Sequence, residues 1–216
     1  MDELEWFSRN AYNLALKNTS TWDLRCVVRM LTACVDIISH FPVGYSVENM
    51  TDLSLKMLFS RFILSSALVS LARVQDHVEQ QRADYKEMRA HVEKFDEGLM
   101  DLLVESEQVE GPNKGCLDQQ KKRDMGRKLA TLLVFDFEAA IALGQWDDLG
   151  VIVGKVRMVD REGEKAANMV VPFQAMADCL LGAASAVEGG GEGKLPGQGE
   201  FFHFTVAILL CLVEIC

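Results

Sequence analysis

Apolar residues recur along most of this chain at steps of three and four, and nowhere is a two-residue alternation sustained. That periodicity is the signature of amphipathic helices rather than half-buried strands. Residues 3–17 set Phe7, Ala11, Leu14 and Ala15 on one stripe. Asn18-Thr19-Ser20-Thr21 then interrupts and recaps. Residues 22–41 repeat the spacing with Leu24, Val27, Val28, Leu31, Cys34, Val35 and Ile38, until Pro42 and Gly44 stop the helix. Thr51 is a suitable N-cap for a third helix. From Leu53 to Leu71 that helix is apolar nearly all round, so it needs neighbours on more than one side. Its length invites a transmembrane reading, but Lys56, Arg61 and several serines interrupt the run and argue against it.

The register then changes. Val74, Val78, Gln81, Tyr85, Met88, Val92, Phe95, Leu99 and Leu102 fall at alternating four-three steps with charged residues between them. This predicts a long helix with a narrow seam. Either neighbouring helices of the same chain or a coiled-coil partner could cover it. The intrachain seam is favoured, because the preceding apolar helix also needs cover. A polar break at 105–115 contains Gly111-Pro112-Asn113. Helices are predicted over about 117–143 and 146–159, with a polar loop at 160–168 and a last helix starting near Pro172.

Between two of these helices lies Gly144-Gln145-Trp146-Asp147. Glycine enters the left-handed backbone region freely, which suits a helix C-terminus. Trp146 is expected to plug the turn, and Asp147 and Asp148 complement the dipole of the following helix. Ala139 and Ala140 before the bend, and Leu149, Val153 and Val156 after it, fit a tetratricopeptide-like hairpin. An alternative alignment starting at Trp146 puts Glu162 at a packing position and fits worse. The predicted fold class is therefore all-α: stacked antiparallel helical hairpins, a tetratricopeptide-like α-solenoid segment. It divides into a helical-repeat segment at 1–187, a glycine-rich linker at 188–200 and an apolar C-terminal tail at 201–216.

Composition narrows the function. The net charge is −10, which disfavours direct nucleic-acid binding, because that needs clustered cations. Lys121-Lys122-Arg123 with Arg127 and Lys128 is bracketed by Asp118 and Asp124 and reads as a solvated helix face. The 6 cysteines are irregularly spaced without a Cys-x-x-Cys pair, so neither a disulfide framework nor a zinc site is expected. Met1-Asp2-Glu3-Leu4-Glu5 is acidic where a secretory leader would be basic, which predicts a reduced intracellular protein.

His77 and His91 lie two heptads apart, too far to share a metal, and read as surface or seam residues. Asp76 beside His77 lacks an assignable serine or cysteine. Asp136 and Glu138 diverge on their helix, and Asp136 is expected to bond a neighbouring helix. Residues 188–195 mimic a phosphate loop, but Glu188 and Leu195 stand where glycine and a hydroxyl are required. No catalytic, cofactor-binding or metal residue is assigned, and an enzyme is not expected.

The tail Phe201–Cys216 is short for a membrane span and ends near Glu214. A weak tail anchor, a docked strand or helix, and a non-native end all remain open. The abrupt compositional break favours the last, so no membrane partner is expected.

"DELEWFSRNAYNLAL", "ALVSLARVQDHVEQQRADYKEMRAHVEKF" and "RKLATLLVFDFEAAIALGQWDDLGVIV" together resemble the fungal Spo-twenty-two / Zip-four meiosis (sporulation) proteins, and "FQAMADCLL" near residue 173 also fits. The similarity runs from about residue 2 to 182. It implies a segment of a longer helical-repeat scaffold that acts in meiotic crossover formation and synaptonemal complex assembly. By the same resemblance its partners are other crossover and synapsis proteins, its location is the nucleus on chromosomes, and no catalytic residue carries over. On the long helix, Glu79, Arg82, Lys86 and Arg89 are candidate contacts. An inactive truncated fragment of such a scaffold is the alternative, and an all-α enzyme is a more distant one.

Overall fold

A computed structural model describes residues 2–41, 47–108 and 119–161. Among these residues the regular structure is entirely helical. The helices are α1 (Asp2–Asn18), α2 (Leu24–Ser39), α3 (Val47–Val74), α4 (Val78–Gln108), α5 (Gln119–Leu143) and α6 (Asp148–Arg161). The chain divides into two compact units, Met1–Leu132 and Leu133–Cys216.

In the first unit the helices pack in chain order: α1 on α2, α2 on α3 and α3 on α4. Connections this short force antiparallel neighbours. The side-chain pairings record that direction. A Cβ on Gly98 would lie 3.2 Å from Leu58 Cδ2, Arg61 meets His91, and Gln81 Nε2 donates to the Ala72 carbonyl at 2.9 Å. Numbers rise along α3 as they fall along α4. The predicted stack of antiparallel hairpins is what this unit forms.

Helix α3 occupies the centre of that order. It is long and apolar enough to cross a membrane, yet it packs against both α2 and α4. Two covered sides account for its composition. On one side, Ala11, Cys34, Ile38 and Leu53 form a buried cluster, with Tyr12, Met30, Phe41 and Met57 packed around it. On the other, the α4 seam is fully buried within the chain: Tyr85, Met88, Val92, Phe95, Leu99 and Leu102 are each at most 4% exposed. The seam is intrachain, as favoured.

Local details differ from the expectations. Helix α3 begins one turn before Thr51, because nothing in Val47-Glu48-Asn49-Met50 stops a helix from extending backwards. Helix α2 is capped by Asp23, whose carboxylate accepts from the Arg25 N–H at 2.8 Å. Val74 and Val78 do not belong to the seam. They flank the Gln75–His77 turn and are 75% and 62% exposed. Along α1 the buried face is Ser8, Ala11 and Ala15, while Phe7 and Leu14 are exposed. Small residues let α2 approach closely enough for Cys34 Sγ to donate to the Ser8 carbonyl at 3.4 Å. A face with Phe7 at its centre would hold α2 off.

In the second unit, α5 ends where Gly144 takes φ 73°. The Gly144 and Gln145 N–H groups donate back to Ile141 and Ala140, the closure expected of a left-handed helix end. Ala139, Ala140, Leu149, Val153 and Val156 are buried, in keeping with the hairpin pattern. Trp146 is half-buried rather than a buried plug, since the chain turns through Trp146 and Asp147 before α6 begins at Asp148. The region around Pro172, the linker 188–200 and the tail 201–216 lie outside the described residues.

Phe95 is fully buried in the α4 seam. Phe95→Ala should lower the unfolding free energy by about 3–5 kcal/mol, read from urea denaturation followed by circular dichroism; an unchanged midpoint would mean that the seam is not a packed core.

Candidate functional site

Two polar constellations cross the first unit. The first joins the starts of α2 and α4. Arg25 Nη1 and Nη2 donate to Asp84 Oδ1 and Oδ2, each at 2.6 Å. Gln80 Nε2 adds a third bond to Asp84 Oδ1 at 3.1 Å. The Asp84 side chain is 1% exposed, and that of Arg25 is 36% exposed. Burying a lone carboxylate is prohibitive, so the two-pronged guanidinium contact is what permits Asp84 to sit there. The Asp84 carboxylate in turn raises the Arg25 pKa above its usual value. The pair bridges α2 and α4 where they flank α3. Beside it, Arg25, Gln75, His77, Glu79 and Gln80 line a shallow open cleft. His77 and Asp76 are exposed at this turn.

The second constellation lies midway along the stack. Arg61 Nη1 is 3.3 Å from His91 Nδ1. Since a guanidinium can only donate, that nitrogen is the acceptor and the imidazole is neutral. Burial, and then the Arg61 cation, push the His91 pKa down to about 4, with Asp36 on α2 opposing. Glu87 Oε1 lies 4.0 Å from Nε2, beyond hydrogen-bond reach. Burial also lowers the Arg61 pKa, against the pull of Asp36 and Glu97.

Cys34 is completely buried, and desolvation raises its pKa. It is held as a thiol rather than as a nucleophilic thiolate, and Ser60 Oγ contacts its sulfur at 3.9 Å. Cys26 is half-buried beside Arg29. Asp136 is half-buried, whereas Glu138 is 1% exposed, so the more deeply placed carboxylate of the two is Glu138. A two-residue offset revealed their divergence but not which one turned inward. Among the described residues, no group of three or more His, Cys, Asp or Glu side chains is placed to hold a metal ion.

Within the basic cluster, Lys128 is committed. Its Nζ bonds Asp124 Oδ2 at 2.8 Å and lies 5.2 Å and 5.5 Å from the Phe59 and Phe62 ring centres. This places a cation over aromatic faces on α3, worth about 0.5–2 kcal/mol. Arg123 and Arg127 are exposed. Along the outside of α4, Glu79, Arg82 and Lys86 are exposed and Arg89 is half-buried. Sequence reading missed both the Arg61–His91 contact and the Arg25–Asp84 bond, whose partners are 30 and 59 residues apart. The signal available for the second was an aspartate next to a seam tyrosine.

No protein-family model, curated protein or solved structure matches the chain.

The His91 environment makes a pH prediction. Unfolded histidine titrates near its ordinary 6.5 and the folded residue at about 4, so between these values the unfolded chain holds the extra proton and acid favours unfolding. The contribution is fully present above pH 6.5 and amounts to about 3 kcal/mol lost as pH falls to 4. His91→Gln should flatten the fall in urea midpoint between pH 7 and 4.5 relative to wild type. Parallel slopes would show that His91 takes up its proton equally in the folded and unfolded chain, against the lowered pKa.

Proposed function

We propose that this chain is a protein–protein interaction scaffold segment serving meiotic crossover formation and synaptonemal complex assembly. The observation that carries the scaffold reading is the consecutive stacking of α1 to α4. It spends the apolar seam of a 31-residue helix inside the chain and turns the opposite, charged face outward. A stack of this kind offers a long rigid surface for partner segments. The buried polar groups support the same reading. Asp84 is engaged by Arg25 and Gln80, and His91 by Arg61, so each ties helices together.

The meiotic assignment rests on the resemblance of the three long stretches to the Spo-twenty-two / Zip-four proteins. Two of them fall on α1 and on the α3–α4 hairpin, where they supply buried residues and surface alike. By that resemblance the partners are crossover and synapsis proteins on nuclear chromosomes. The net charge of −10 suits a protein that recruits DNA-binding partners rather than one that neutralises phosphates itself.

The test is affinity purification of the tagged chain from meiotic and from vegetative cells, with crossover and synaptonemal complex proteins quantified in both. The expected result is their enrichment in the meiotic sample. Recovery should fall for the triple variant Glu79→Lys, Arg82→Glu, Lys86→Glu at unchanged melting temperature. Equal recovery from both cell types, or none, would contradict the proposal.

A further inference from the structure

Helix α1 packs on α2 through Ser8, Ala11 and Ala15. Its outer side is unusual for a solvent face. Trp6 is 59% exposed, Phe7 53% and Leu14 44%. Trp6 and Phe7 are arranged edge to face with centroids 5.0 Å apart, so together they form one aromatic ridge. With about 3.6 residues per turn, Glu3, Trp6, Phe7, Asn10, Asn13, Leu14 and Lys17 fall on a single arc of about a third of the helix circumference. Glu3, Asn13 and Lys17 are exposed as well, and Asn10 is half-buried.

The order of these residues is self-complementary. Let a second α1 lie antiparallel across this arc, with a twofold axis through Asn10. Glu3 then faces Lys17 of the second copy, Trp6 faces Leu14, Phe7 faces Asn13, and Asn10 faces itself. Each aromatic meets an apolar or amide partner, and the carboxylate at one end meets the ammonium at the other. Asn10 Nδ2 donates to the Trp6 carbonyl at 2.7 Å, which leaves its second N–H and its Oδ1 for the opposing amide. A central asparagine pair of this kind fixes the register of paired helices. A twofold axis is also the commonest way in which identical chains associate.

We infer that the Glu3–Lys17 face of α1 is a homodimerisation surface that takes a second copy of this chain in antiparallel, twofold-symmetric contact. The contact spans about 21 Å of helix. That is short of a standard interface, so the dimer is weak and concentration-dependent. This surface is independent of the proposed meiotic role, since it uses the outer side of α1, the first helix of the stack, and no partner protein.

Sedimentation velocity of the full chain across a concentration series tests it, with circular dichroism confirming that each variant keeps its helices. Wild type is expected to shift reversibly from monomer to dimer. Trp6→Ala with Leu14→Ala should shift the midpoint about tenfold or more towards higher concentration. Lys17→Glu alone, or Glu3→Lys alone, should weaken the dimer by roughly three- to tenfold. An equimolar mixture of the two single charge variants should recover wild-type association, because every cross-contact is again between opposite charges. A chain that stays monomeric, or one whose self-association ignores these substitutions or is not restored by mixing, would overturn the inference. Should the double alanine variant lose helicity, the charge-swap mixture decides alone.

Discussion

The first unit of this structure follows from one constraint: α3 is apolar on nearly all sides and cannot face water on either. Full burial of a large aliphatic side chain is worth about 1.5–3 kcal/mol. Leu58, Leu64, Leu68 and Val69 are all at most 3% exposed. Such a helix needs a neighbour on each flank, and short connections make those neighbours its own predecessor and successor in the chain. Helix α2 covers one side and the seam of α4 the other. The polar groups accept this arrangement rather than direct it. Asp84 is tolerated in the interior because Arg25 reaches it, and His91 because Arg61 donates to it.

Much of this was legible in the sequence. The order of the six helices among the described residues, the intrachain destination of the Tyr85–Leu102 seam, and the glycine at the α5–α6 bend all follow from spacing. Errors arose where packing overrode periodicity. Phe7 and Leu14 share a stripe with Ala11 and Ala15, yet helix approach favours small residues, so the buried face rotated towards Ser8. Val74 and Val78 continue the seam's spacing on paper, but the chain turns between them. Trp146 has the size of a core residue and lies in a turn that only half covers it. The Arg25–Asp84 bond could not be read at all, since periodicity reports which face a residue occupies but not which distant residue it meets.

These shifts also explain why the surfaces differ in character. The outer face of α4 is charged because its apolar stripe is used up within the chain. The outer face of α1 keeps aromatic residues because small ones do its packing. A stack thus presents a polar wall along one helix and an apolar ridge on another, and the two can serve different partners at once.

Native-state hydrogen exchange of the dilute monomeric chain tests the central claim, that α3 and α4 form one cooperative core within a single molecule. The account predicts that amides from Leu64 to Ala72 and from Tyr85 to Leu99 are the slowest to exchange and share one opening free energy, independent of protein concentration. Rapid exchange along α4 while α3 stays protected, or α4 protection that vanishes on dilution, would mean that the seam is covered by another molecule and would contradict it.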